Sequence, residues 1–252
     1  MKIGATPPIL SILLALASPA WGVECSALGV GPVAVVELYT SEGCSSCPPA
    51  DHWLSRLPPR DPGPVRVIPL ALHVTYWDDL GWRDPFADPR FDARQRNAAR
   101  RLGSGVVYTP QVRVNGQDFR GWRADGLDAL LPSVAARPTN ARLEIAGTLT
   151  PQGATLTVTG EGPPGAQVSL VRTEDGLSSV VRAGENAGRR LSHDHVAREW
   201  TLLGAVGPAN RFRFQASTPG FHGTTRFVAL VEDPASGAIL QAARLGPCPG
   251  GA

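Results

Sequence analysis

Cys44-Ser45-Ser46-Cys47-Pro48-Pro49 comes just after the apolar run Val33-Ala34-Val35-Val36-Glu37-Leu38-Tyr39, and that junction restricts the chain more than any other segment. A strand, a short turn and two cysteines three apart at a helix start make a dithiol redox site. Such thiols close a disulfide within one turn, or the first is attacked while the second resolves the mixed disulfide. The free N–H groups and dipole of a helix start favour the thiolate. Two other readings stand beside this one: half of a structural zinc site, and an inert disulfide. The remaining cysteines, Cys25 and Cys248, stand near opposite ends of the chain and form no second Cys-x-x-Cys pair.

The first 22 residues read as a secretory signal. Lys2 gives the positive start, Ile9 to Ala17 the apolar stretch, and Ser18-Pro19-Ala20 the small residues of a cleavage site. That run is short for a membrane span, and no later stretch is long enough, so no span is expected in the mature chain. The expected address is periplasmic or secreted, where disulfides persist. Cys25 and Cys248 are expected to pair there and close a very long loop.

Composition narrows the chemistry. The chain has 252 residues, 42% of them hydrophobic, enough for a real core. A net charge of +2 gives no electrostatic case for nucleic acid. Lys2 is the only lysine, so a mature chain has none for Schiff-base or phosphate-loop chemistry.

The rhythm changes part-way along. Residues 31–137 alternate strand and helix patterns. Val33–Tyr39 and Val65–Val74 are near-continuous apolar strands of the buried, parallel type. Pro48–Leu57 is a short helix whose prolines place its start near Cys47. Pro89–Leu102 is an amphipathic helix ending at Gly103. Gln111–Val114 runs into an Asn115-Gly116 hairpin turn and returns over Asp118–Trp122. Leu127–Ala136 is a final helix, interrupted by Pro132. The order is β-α-β-α-β-β-α, a mixed sheet covered on both faces. After Pro138-Thr139-Asn140, short alternating runs such as Phe227/Ala229/Val231 predict an all-β, sandwich-like domain over 140–247.

The first half is similar to the thioredoxin fold in its strand before the Cys-x-x-Cys, the helix after it, and Tyr108-Thr109-Pro110 leading into the hairpin. The resemblance implies a cis-proline at Pro110 facing the dithiol, with the backbone of Thr109 open to an extended substrate. It also puts Glu37 near the place of a buried acid that assists proton transfer; the residue pattern alone equally allows a solvent-facing Glu37 at the strand end. More narrowly, the chain resembles the secreted, thioredoxin-like family called domain of unknown function 1223. The matching runs are Val36–Asp51, His73–Trp82, Tyr108–Gln111 with Val114-Asn115-Gly116, and Gly184–Arg189 followed by His193. This implies a redox pair and no established activity.

Three further sets have two readings each. Trp77, with Asp78, Asp79, Trp82 and Asp84, is either a lip that selects a partner beside the dithiol or, as favoured here, a loop that packs onto the core. His193 and His195 share a face if they lie in one strand; with Cys44 and Cys47 they make a copper or zinc set, and otherwise a solvated strand face. His73 either approaches Cys44 and stabilises a thiolate or is a hydrogen-bonded core histidine. The expectation carried forward is an exported thiol–disulfide oxidoreductase. Cys44 is attacked, Cys47 resolves, Pro110 shapes the groove, the partner is a thiol or disulfide protein, and no organic cofactor is required. The rivals are a metal-binding module and a non-catalytic, partner-binding protein.

Overall fold

In a computed structural model of the chain, residues 22–57, 64–124, 126–150, 152–219, 224–246 and 248 are described. All of the expected export signal except Gly22 lies outside them. The elements run β1 (Val23–Gly29), β2 (Val33–Thr40), α1 (Pro48–Ser55), β3 (Arg66–His73), α2 (Pro89–Arg101), β4 (Gln111–Val114), β5 (Gln117–Asp118) and α3 (Gly126–Ala135). Nine strands follow: β6 (Arg142–Thr150), β7 (Gly153–Glu161), β8 (Gln167–Glu174), β9 (Leu177–Val180), β10 (Arg190–His193), β11 (Val196–Ala205), β12 (Arg211–Pro219), β13 (Thr225–Glu232) and β14 (Ile239–Leu245). The described structure is mostly β-sheet with three α-helices, and its second half is sandwich-like.

The expected boundary near residue 139 marks where the helices stop, but not where one sheet ends. One eight-stranded sheet runs β14-β13-β8-β11-β3-β2-β4-β5 through both halves. β2 and β3 pair in parallel along their whole length, from Val33 opposite Arg66 to Thr40 opposite His73. β11 joins the far edge of β3 in parallel at Val196 opposite Ala71. Pro69 interrupts β3 beside that seam, and a proline has no N–H to give a ladder. The second sheet, β1-β6-β7-β12, is antiparallel throughout. The strand β1 is not among the sequence expectations.

Strand alternation sorts the side chains into layers. On one face of the large sheet, Ala34, Val36 and Leu38 of β2 meet Ala50, Trp53 and Leu54 of α1 and Leu127, Leu131 and Val134 of α3. On the opposite face, Val33, Val35 and Tyr39 meet Phe91 of α2 together with Val171, Val228 and Leu230 of the second half. A third apolar layer lies between the four-stranded sheet and Val168, Leu170, Phe227, Ala229 and Val231. The second half therefore shares a core with the first, which corrects the expectation of a separate sandwich domain.

The hairpin return is shorter than expected. β5 holds only Gln117 and Asp118, Phe119 N–H still reaches the Val112 carbonyl of β4 at 2.8 Å, and Arg120–Ala124 forms a 3-10 helix instead. The turn itself matches the sequence: Asn115 and Gly116 both have positive φ, at 48° and 83°. A side chain at Gly116 would collide with the carbonyl of Gly237. Cys25 and Cys248 form a disulfide with Cα atoms 5.9 Å apart.

Candidate functional site

Cys44 and Cys47 are joined by a disulfide, with Cα atoms 5.4 Å apart. The local hydrogen bonds show why the helix starts late. Cys44 N–H donates to the Ser41 carbonyl and Cys47 N–H to the Cys44 carbonyl, both at 3.2 Å, which makes two consecutive turns. α1 begins only at Pro48, which has no N–H to place. Ser45 and Ser46 are exposed, while neither cysteine has exposed surface. The Ser46 hydroxyl lies 3.4 Å from Cys44 Sγ.

A segment from the second half closes over this turn. Between β9 and β10, Glu185 accepts a 2.9 Å hydrogen bond from Ser45 N–H. Asn186 donates its amide to the carbonyls of Glu42 (2.8 Å) and Cys44 (3.0 Å), and Arg189 donates to the Asn186 side chain at 2.7 Å. The run Gly184–Arg189 is thus bonded on both sides of Cys44.

Next to Cys47 lies a buried polar cluster drawn from separate stretches of both halves of the chain. Asp51 stands one helical turn after Cys47, and its N–H donates to the Cys47 carbonyl at 3.1 Å. His73 ends β3 and bonds Asp84 through Nδ1 at 2.7 Å. His193 ends β10 and bonds Glu42 through Nε2 at 3.0 Å. Glu42 also accepts from Trp82 Nε1 (2.9 Å) and from the Ser179 hydroxyl. The two imidazoles are edge to face with ring centres 4.8 Å apart. Among the described residues, Asp51 Oδ1, His73 Nε2 and His193 Nδ1 have no hydrogen-bond partner. Burial pushes the Asp51 carboxyl above its usual range, against the opposing pull of His193 and His73. Burial disfavours charge on His73 as well, but the carboxylates around it, Asp84 first and then Asp51 and Glu42, together outweigh it and raise the imidazole above 6.5. His73 in turn holds Asp84 below 3.8 despite burial.

This pair predicts a pH dependence. His73 has a folded pKa above its unfolded one. Its stabilisation is complete below 6.5 and disappears as pH rises through the folded value. Asp84 has a folded pKa below its unfolded one, so its share is present above 3.8 and lost on acidification. In Asp84→Asn the buried imidazole loses its counter-charge, and protonation then opposes folding. The variant should lose about 3 kcal/mol near neutral pH, with a deficit that shrinks as pH rises through the raised His73 value. Urea unfolding at several pH values reads this, and a deficit independent of pH would refute the ion pair.

The other expected site residues fall in different places. The Thr109–Pro110 peptide is cis. Thr109 and Pro110 line a groove that begins at Ser46. Trp77 Nε1 donates to the Thr109 hydroxyl at 2.8 Å. The Trp77 Cβ backs onto Gly43, so the tryptophan braces the turn before Cys44. Glu37 is not part of the cluster. It is buried on the α2 side of the sheet, where Arg94 donates to it at 2.7 Å and to Glu232 at 2.9 Å. The strand period sends Glu37 to the face opposite α1, which corrects its expected role. The set Cys44, Cys47, His193 and His195 is not assembled either. β10 stops at His193, and His195 sits in the following turn with φ 59°. Its Nδ1 is 3.0 Å from Asp175. Among the described residues no group of three or more His, Cys, Asp or Glu side chains is arranged to hold a metal ion.

Asp51, Glu42, Glu185 and Asn186 are residues whose roles sequence reasoning missed, and Asp84, named in the Trp77 loop, was not tied to His73. Their signal is in the sequence: Asp51, Glu42, Glu185 and Asn186 lie within the runs Val36–Asp51 and Gly184–Arg189. A carboxyl one turn after Cys47, on a helix that must bury its Ala50/Trp53/Leu54 face, is the detectable one.

The family model described as a protein of unknown function, DUF1223, matches residues 35–232. The chain belongs to the DUF1223 family. The match takes in the Cys-x-x-Cys turn, the buried cluster and the Gly184–Arg189 segment, so this DUF1223 chain carries both halves of its site within the family region. An X-ray structure of an Agrobacterium tumefaciens protein is similar, with a TM-score of 0.64 and 27% identity over 84% of this chain and 93% of that one. HBP35 of Porphyromonas gingivalis shares the fold with a TM-score of 0.61 and 15% identity, over 85% of this chain and 75% of that one. No curated protein matches.

Proposed function

We propose that this DUF1223 protein is an extracytoplasmic thiol–disulfide oxidoreductase. In this reading the stretch from β2 to α3 is a thioredoxin-like unit, Cys44 is the exchanging sulfur and Cys47 the resolving one. The observation that carries it is a buried carboxyl with raised proton affinity, Asp51, one helical turn behind a Cys-x-x-Cys disulfide. When Cys47 leaves as a thiolate it needs a proton, and a carboxyl that keeps its proton above the ordinary range can give one. The two disulfides fit an oxidising compartment. Among the described residues no helix is long and apolar enough to cross a membrane.

The deciding experiment is an equilibrium redox titration of the full chain against glutathione. Differential alkylation with peptide mapping follows Cys44–Cys47 separately from Cys25–Cys248. A reversible transition between about −120 and −270 mV supports exchange, since known exchange catalysts span that range. A bond that stays closed below about −300 mV is structural. That second reading has its own observation: neither sulfur has exposed surface.

Asp51→Asn should slow opening of the disulfide by dithiothreitol by about a hundredfold. In the wild type the rate, corrected for ionisation of the attacking thiol, should fall as pH passes the raised Asp51 value. In the variant that decline should vanish. A profile of unchanged shape would remove Asp51 from the proton path.

A further inference from the structure

The turn carrying Cys44 has two unlike flanks. On one side Glu185 and Asn186 are hydrogen-bonded to it. On the other, an open groove of about 450 Å³ starts at Ser46, whose hydroxyl is 3.4 Å from Cys44 Sγ. A partner sulfur that approaches without breaking the Glu185 and Asn186 bonds comes from the groove side.

The groove has a distinct chemistry. Its wall is aromatic, from Tyr108, Phe119 and Trp122, and two guanidinium groups stand on it. Arg123 stacks 4.7 Å from the Trp122 ring, and Arg120 lies 5.8 Å from the Tyr108 ring. Arg120 has an 84% exposed side chain whose Nε reaches Asp118 at 3.2 Å. Asp118 is spent internally, since it also accepts from the Tyr108 hydroxyl and from Gln111 at 2.9 Å. Among the described residues no carboxylate pairs with Arg123. An arginine whose guanidinium carbon lies over an aromatic ring can still offer N–H groups to a planar anion.

We propose that this groove receives an acidic segment of a partner protein, seating a carboxylate on Arg120 and Arg123 while a neighbouring partner cysteine reaches Cys44. The inference rests on the exchange reading above. The partner thiolate bonds to Cys44 Sγ, the Cys44–Cys47 bond breaks, and Cys47 takes the electron pair and a proton from Asp51. A second partner thiol then displaces Cys44 from the mixed disulfide, and its proton ends on the departing Cys44 sulfur. The partner loses two electrons as its disulfide forms, and the chain gains them as its dithiol.

The test uses the full oxidised chain and three synthetic dithiol peptides that differ only in having Glu, Gln or Lys beside the cysteines. At low ionic strength the rate of opening Cys44–Cys47 should run Glu, Gln, Lys from fast to slow, with about tenfold between the extremes. The spread should collapse at about 0.5 M salt and in the double variant Arg120→Gln/Arg123→Gln. Dithiothreitol carries neither a carboxylate nor an ammonium group, so its rate should differ between the two proteins by much less than the spread between the Glu and Lys peptides. Equal peptide rates, or an order that survives in the double variant, with dithiothreitol still reacting, would overturn the acidic-partner inference alone. If dithiothreitol does not open the bond either, the exchange reading falls and takes this inference with it.

Discussion

With Cys47 replaced by serine, turnover of a disulfide substrate should fall to background while a covalent adduct accumulates on Cys44. Cys44 lies in the turn beside exposed Ser45 and Ser46, whereas Cys47 caps α1 next to the buried cluster. Attack by the Cys44 thiolate on a partner disulfide breaks that bond and joins one partner sulfur to Cys44. The other partner sulfur leaves as a thiol. Without Cys47 nothing displaces the attached partner, so the reaction stops at the mixed disulfide. Non-reducing electrophoresis and intact-mass measurement after incubation with glutathione disulfide read the adduct. Cys44→Ser is the control and should form none. Equal adducts on both variants would mean that the two sulfurs have no fixed roles.

The second large effect concerns stability. Cys25 and Cys248 are 223 residues apart in sequence. Their bond ties β1, the first strand, to the segment after β14. In the chain-entropy model a loop of that size contributes about 5 kcal/mol, near the upper end of what disulfides supply. The double variant Cys25→Ala/Cys248→Ala should lose about that much in urea unfolding. Cys25 packs against the layer between the sheets, so some of the loss is packing. A loss under about 1 kcal/mol would show that the unfolded chain is not constrained by the link.

The sequence was clear where structure is local. The strand Val33–Thr40, the proline-delayed start of α1, the Asn115-Gly116 turn and the amphipathic α2 all follow from neighbours a few residues away. Pairing across long separations was not legible. The run Phe227-Val228-Ala229-Leu230-Val231 reads as one face of a sandwich strand, yet β13 is buried on both sides. Alternation cannot distinguish a strand covered on one face by a sheet and on the other by a helix from an ordinary core strand. β1 alternates half-buried with exposed residues along the edge of its sheet, a weak signal. The site divides the same way. The dithiol was visible as a motif, but Asp51 was not, because its importance comes from His73 and His193 arriving from β3 and β10. Glu37 was misplaced because its distance from Cys44 does not show which face of the sheet it occupies.

The seam between β3 and β11 has a consequence for assembly. β3 gains its second neighbour only when residue 196 is available, more than 120 residues after β3 ends. His193, which completes the Glu42 cluster, and Asn186, which closes the turn, come from just before that strand. A chain that emerges from its N-terminus therefore has its two cysteines in the open long before their cover arrives. During that interval the Cys44–Cys47 pair is accessible to whatever oxidant or reductant the compartment holds, and sheet formation then restricts the approach to the groove side. The redox state the finished protein begins with is set by a race between chemistry on a nascent chain and the closing of a sheet with high contact order.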